Sequence, residues 1–195
     1  MPLRRAADAI VMDIRADNQE KGHYVYDFAN MRDPHLPFSV TREHLKTADY
    51  TVHLPDAALP QNRIVIERKS LDDLYGTLGN ETRRKRFKAE FERMSLFGYA
   101  AVVIEATLEQ ILRPNDYLDP RYATKLNPRS AYMTLMFWSQ RYGVHIWMMP
   151  GRRVAEQWTF RLLECWTRDH YAKLAQRAIE AGKHDSTRMG TVNEN

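Results

Sequence analysis

Glu67, Lys69 and Asp73 close an apolar run in Ile64-Val65-Ile66-Glu67-Arg68-Lys69-Ser70-Leu71-Asp72-Asp73, and a further acid, Asp49, stands upstream in Ala48-Asp49-Tyr50. On a strand, Glu67 and Lys69 share a face about 7 Å apart. Asp49 joins that face when a hairpin pairs it with Glu67 or with Lys69, about 5 Å across the ladder. Either register brings two carboxylates and an amine together at one hairpin end. Such a set suits phosphodiester hydrolysis. A hard divalent cation, Mg²⁺ or Mn²⁺, takes carboxylate oxygens and keeps waters for substrate and nucleophile. An adjacent lysine orients or deprotonates the attacking water, or neutralises charge on the phosphorane.

The elements that must position these residues are legible from periodicity. A short apolar run over 9–14 predicts a strand that carries Asp13, and another strand is expected around Phe38 to Arg42. Tyr50, Val52 and Leu54 alternate with Asp49, Thr51 and His53, and 63–69 alternates again after a turn-rich 55–62, which predicts an antiparallel hairpin. Ser70 reads as a helix N-cap with Asp73 at the capping-box position. Phe87, Phe91 and Met94 set a helical stripe over 81–96, and 99–106 reads as a buried strand. A brief helix over 107–113 stops at Pro114, and a long loop covers 114–129. A helix over 129–142 ends at Gly143, a strand spans 144–149, and a long helix runs from about Arg153 to Ile179. Strands alternating with helices indicate an α/β layer fold with a mixed central sheet. One domain is expected over 1–180, with a disordered tail over 181–195.

Composition narrows the class. The chain has 195 residues and a single cysteine, so it supports an ordinary core without a disulfide framework. The longest uncharged apolar stretch, Tyr99 to Ile104, is far short of a membrane span, and the start has no apolar export segment. A cytoplasmic protein is expected. The net charge of +4 is weak evidence for a polyanionic partner. Local clustering is stronger: five of the six residues Arg83-Arg84-Lys85-Arg86-Phe87-Lys88 are cations. Arg83 stands one turn before Phe87, at the core edge where a phosphate can meet it, whereas Arg86 also has Glu90 four residues on. The histidines show no paired metal-ligand spacing, so zinc is not expected. Cys165 reads as buried, and Trp138, Trp147, Trp158 and Trp166 as core or dimer contacts.

Glu67-Arg68-Lys69 followed by three residues and Asp73, with Asp49 upstream, resembles the XPF-type structure-specific endonuclease domain. That family belongs to the restriction-endonuclease-like, PD-(D/E)xK nucleases, and its signature reads Gly-Asp, then Glu-Arg-Lys-x-x-x-Asp. The likeness takes in Asp13-Ile14-Arg15-Ala16, Arg86-Phe87 with Glu90, a strand ending in Glu105, and Arg141 to Val144, about residues 9 to 170. It implies a restriction-endonuclease-like mixed sheet flanked by helices, and a Mg²⁺- or Mn²⁺-dependent endodeoxyribonuclease acting on branched, flapped or distorted DNA. A stand-alone phage or bacterial member in DNA repair, recombination or genome processing is expected. The implied roles are Asp49 and Glu67 as metal ligands with Asp13 as a third acid, Lys69 and Asp73 as catalytic partners, and Arg15, Arg83 and Arg86 as phosphate contacts. Arg68 joins the DNA-binding set, although its side chain points away from Glu67 and its carbonyl is a further candidate ligand.

Two positions depart from the family pattern. Its glycine before the motif aspartate is Ala48, a small-for-small change expected to cost little. The acid after Asp-x-Arg is Ala16, leaving Asp17 or Glu20 as substitutes. Asp13 is open between metal ligand and structural partner of Arg15, and Asp73 between catalysis and capping. No tandem helix-hairpin-helix or helicase segment is present in this stretch, so DNA contact falls to this domain, its loops or a partner. A homodimer through the C-terminal helices is expected. The missing acid also leaves room for a catalytically inactive nuclease fold that docks on DNA or a partner subunit. A sequence-specific restriction or homing enzyme is a further rival on the same fold, lacking a second DNA-reading domain here.

Overall fold

Alternation of apolar and polar residues builds six strands: β1 (Met12–Asp17), β2 (Phe38–Glu43), β3 (Tyr50–His53), β4 (Ile64–Lys69), β5 (Tyr99–Ile104) and β6 (His145–Met148). The structure, a computed structural model, describes residues 10–18, 25–54 and 59–190. The strands form one sheet in the order β2-β1-β3-β4-β5-β6. β1 runs parallel to β2 and antiparallel to β3, β3 and β4 form the antiparallel hairpin, and β4, β5 and β6 are parallel. The helices are α1 (Leu71–Leu78), α2 (Glu81–Met94), α3 (Leu108–Leu112), α4 (Pro128–Tyr142) and α5 (Arg152–Gly190). This is the expected α/β class, a mixed sheet with helices on both faces.

Each face carries its own core because strand side chains alternate. Met12, Ile14, Ala16, Tyr50, Val52, Ile64 and Ile66 pack with Phe28 and with Phe160 and Leu163 of α5. Val65, Ala100, Val102 and Ile104 face the other way, against Leu74, Phe87, Phe91 and Trp138 from α1, α2 and α4. β4 is buried from Ile64 through Arg68, as suits an interior strand covered on both sides. Helix starts follow the capping rules. Ser70, Asn80, Thr107 and Asn127 each accept a backbone N–H of the first turn, and Thr107 forms a full capping box with Gln110. Gly143 ends α4 with φ of 66°, a left-handed conformation that suits glycine.

Three expectations shift. β1 begins at Met12 rather than residue 9, because it is Met12, Ile14 and Ala16 that reach the core while Val11 is exposed. Cys165 is exposed, since α5 turns Leu163, Glu164 and Thr167 inward. Helix α5 continues past Ile179 to Gly190, so helical backbone extends over positions 181–190 of the expected tail, and 191–195 lie outside the described residues. Among the described residues no helix is long and apolar enough to cross a membrane.

The strand that carries Glu67 and Lys69 is anchored from behind by Arg68. Its Nε and Nη2 donate to the two oxygens of Glu105 at 2.8 and 2.7 Å, and both side chains are about 7% exposed. Glu105 also accepts the Tyr26 hydroxyl at 2.8 Å and lies 3.4 Å from Arg152, while its own N–H donates to the Lys69 carbonyl at 2.8 Å. Burial and the Glu105 charge push the Tyr26 phenol far above its ordinary pKa, so it stays a donor. Removing one partner of such a pair strands a buried charge, at about 3–5 kcal/mol. Glu105→Ala is therefore expected to lower the unfolding free energy by about 3 kcal/mol in urea titrations followed by circular dichroism. A loss below about 1 kcal/mol, the scale of an exposed pair, would mean that Arg68 is anchored by something else.

Candidate active site

The hairpin register settles which residues meet. Tyr50 pairs with Ile66 and Thr51 with Val65, and one step further the ladder sets Asp49 opposite Glu67. Two bonds close it there: the Asp49 N–H donates to the Ile66 carbonyl at 3.1 Å, and Asp49 Oδ2 accepts the Arg68 N–H at 2.7 Å. The second bond replaces a strand partner with a side chain and ties the carboxylate to the hairpin end.

Lys69 stands one residue pair beyond Glu67. Its Nζ lies 3.0 Å from Glu67 Oε1, 2.8 Å from Asp73 Oδ2 and 4.8 Å from the centroid of the Phe87 ring. Burial works to strip the proton from this amine. The Glu67 and Asp73 carboxylates, the hydrogen bond to Asp73 and the Asp49 charge outweigh it and hold the pKa well above the ordinary lysine value. Lys69 in this arrangement is a donor to both carboxylates. The Asp73 N–H is capped by Ser70 Oγ at 3.2 Å, and its side chain lies 2.8 Å from Lys69 Nζ.

Asp13 does not join this group. β1 pairs Asp13 with His53 and Ala16 with Tyr50, so Asp13 stands four residues, about 13 Å, along the face from the rung of Asp49. It pairs with Arg15 instead, and Arg15 also reaches Glu43 at 3.2 Å, so Arg15 is spoken for by two acids. The same register explains the missing acid. Ala16 is fully buried in the α5-side core, whereas Asp17 follows in register opposite Asp49, and its N–H donates to the Asp49 carbonyl at 2.8 Å. Asp17, Asp49 and Glu67 thus occupy one rung of adjacent strands on one face. Asp17 Oδ1 meanwhile accepts the Leu45 N–H at 3.0 Å. Glu20 lies outside the described residues. Arg68 faces the Glu105 side, buried at 6% exposure, and is not placed to meet a phosphate.

A cleft of about 410 Å³ opens over Glu67 and Lys69, walled by Arg83, Arg86, Glu90 and Arg93 of α2. Arg83 leans across α1, where a side chain on Gly76 would begin 3.6 Å from its Nη1. Glu90 does more than the helical pair with Arg86 that its spacing suggests. It pairs with Arg93 and accepts the Ala48 N–H at 2.8 Å, reaching the backbone next to Asp49. Ala48 needs that support, because its φ of 59° is left-handed, a conformation that costs a non-glycine residue about 1–2 kcal/mol. The Ala48 for glycine exchange is therefore not neutral. Its methyl is buried beside Val65 and Leu74, which offsets part of the strain. The sequence carried a signal for Glu90, an acid on the basic helix, but only the fold shows it bonded to residue 48.

Comparison with known proteins gives a family and a fold. The model of the ERCC4 domain matches residues 16–162, which takes in β1 from Ala16 through about the first three turns of α5. Among solved structures, XPF from Aeropyrum pernix superposes with a TM-score of 0.51 at 16% identity, over 80% of this chain and 60% of that chain. A second structure of XPF from Aeropyrum pernix, in complex with DNA, gives a TM-score of 0.48 at 15% identity, over 83% of this chain and 66% of that chain. The chain thus spans about 60% of the length of the first of these proteins. No curated protein matches. With the motif acids on one rung, Lys69 between Glu67 and Asp73, and the family match spanning both, the chain belongs to the ERCC4-domain family of XPF-type nucleases.

Proposed function

We propose that this protein is a divalent-metal-dependent endodeoxyribonuclease that hydrolyses phosphodiester bonds in branched, flapped or distorted DNA. The observation that carries the reading is the Asp49–Glu67 rung with Lys69 bonded to Glu67 and Asp73 at the floor of an arginine-walled cleft. The preference for branched substrates rests on the family resemblance.

The donor set fits a hard cation. Asp49 and Glu67 offer only carboxylate oxygens, and among the described residues no three His, Cys, Asp or Glu side chains gather into a ready metal cage. Two carboxylates with waters and a substrate phosphate is the way Mg²⁺ is commonly bound. An ion held there supplies polarisation of the phosphoryl oxygen and a bound water of lowered pKa. The chain's own groups do the rest. The Lys69 ammonium donates to oxygen charge that develops on the phosphoryl group, and Asp73 fixes the amine in place. Arg83 and Arg86 line the cleft without a carboxylate partner among the described residues, and they hold the phosphates flanking the scissile bond. Glu90 is a positioning residue that acts through Ala48 on Asp49.

Cleavage of labelled flap, fork, four-way-junction and linear duplexes in Mg²⁺ or Mn²⁺ tests the proposal. Glu67→Gln and Lys69→Met are expected to lower single-turnover rates by about 10²–10³-fold or more while retaining DNA binding in EDTA. No metal-dependent product from the wild type would leave a module that docks on DNA without cutting, and equal product from these variants would overturn the assignment of Glu67 and Lys69 to the active site. Glu90→Ala is expected to lower the single-turnover rate about tenfold with DNA affinity unchanged, the pattern of a mispositioned acid. A fall in affinity with an unchanged rate would make Glu90 a binding residue instead.

A further inference from the structure

The basic helix α2 sorts its cations in a way that charge counting does not show. Lys85 pairs with Glu81 at 2.7 Å, Lys88 lies 3.7 Å from Glu92, and Arg93 pairs with Glu90. Arg83, Arg84 and Arg86 have no carboxylate partner among the described residues, and all three line cavities. Arg83 and Arg86 belong to the active-site cleft. Arg84 turns to a separate groove of about 660 Å³ at the α1–α2 corner, where Lys125 faces it from the loop before α4.

We propose that this groove is a second phosphate-binding subsite, which takes a single-stranded DNA segment running out of the active-site cleft. The inference rests on the nuclease reading for the nature of the ligand, and on three further observations for its place. The first is charge: the Arg84 guanidinium donates to the Thr134 hydroxyl at 3.3 Å, and neither it nor the exposed Lys125 has an acidic partner among the described residues. The one carboxylate on the rim, Glu81, is already neutralised by Lys85. The second is construction. Asn115 binds Thr124 through both ends of its amide, at 2.9 and 3.2 Å, and Thr124 Oγ1 accepts the Leu126 N–H at 3.1 Å, so the wall that presents Lys125 is held without a helix or strand. The third is continuity. Gly76 lines the groove and also lies beside Arg83 of the cleft, so the two cavities share an edge.

The lining favours an unpaired strand over a duplex. Leu126, only partly buried, stands beside the cations, and apolar surface beside a basic track meets exposed base faces, whereas a duplex presents its phosphates with the bases stacked inside.

Fluorescence anisotropy in EDTA, with a labelled duplex bearing a single-stranded overhang of about ten nucleotides, reads the subsite without turnover. Arg84→Ala with Lys125→Ala is expected to weaken binding of the overhang substrate about tenfold, and to flatten the slope of log K against log salt by about 1.4, two phosphates' worth on a single strand. The charge-keeping swap, Arg84→Lys with Lys125→Arg, is expected to restore the slope. Lys88→Ala, which removes one charge from the same helix outside both cavities, is expected to leave it unchanged. A double variant that binds like the wild type, a Lys88→Ala loss of half that size or more, or no binding of the overhang by the wild type overturns the subsite. Failure of the nuclease reading looks different: the wild type then binds the overhang, with the expected loss in the double variant, yet cuts nothing in Mg²⁺ or Mn²⁺. A wild type that cuts while the double variant binds unchanged retires the subsite alone.

Discussion

Four carboxylates, those of Asp17, Asp49, Glu67 and Asp73, share one end of one sheet face, with the Lys69 ammonium bonded among them to Glu67 and Asp73. Like charges so arranged repel, and the fold has to hold them there. It does so with bonds that belong to the backbone rather than to the site. Asp49 closes the hairpin by taking the Arg68 N–H, Asp73 sits in a capped first helical turn, and Asp17 takes the Leu45 N–H. Each acid is thus tied to an element that would be ordered without it. Lys69 alone does not cancel the negative charge gathered at this end of the face.

The opposite face carries the compensation. Because β4 alternates, Glu67 and Lys69 look towards α2 while Arg68 looks towards Glu105, Tyr26 and Arg152. The Arg68–Glu105 pair joins β4 to the end of β5, at the point where Glu105 N–H also bonds the Lys69 carbonyl. A side chain that contributes nothing to the cleft therefore fixes the strand end on which the cleft depends. Buried ion pairs are weak evidence of net stability. Here the pair is better understood as fixing position, since its partners come from four separate segments of the chain.

Much of this was legible in the sequence, and the reasons for the misses are physical. Alternation over 49–54 and 63–69 was enough to predict the hairpin and the shared face of Asp49, Glu67 and Lys69, because a period of two leaves one solution when one face is buried. The choice for Asp13 between metal ligand and partner of Arg15 needs the register, because a family motif supplies order along the chain and nothing more. Once β1 is seen to run to Asp17, the acid opposite Asp49 is Asp17. Glu90 eluded the reading because its partner, the Ala48 N–H, lies forty-two residues away in sequence and has no side-chain signature. Cys165 and the length of α5 turn on which helical face is covered, a property of the packing that composition does not carry.

The basic helix illustrates the general point. Six cations between Arg83 and Arg93 invite the conclusion that the whole helix is a nucleic-acid surface. Pairing divides them. Lys85, Lys88 and Arg93 are satisfied by acids three or four residues away on the same helix, the ordinary fate of surface charge. Arg83, Arg84 and Arg86 are left over. Helix α2 has Glu81, Glu90 and Glu92, towards its two ends, and leaves the middle uncompensated where α1 and the loop before α4 approach it. The positive field therefore comes from where the carboxylates are absent, between two cavities, rather than from the total charge of the segment.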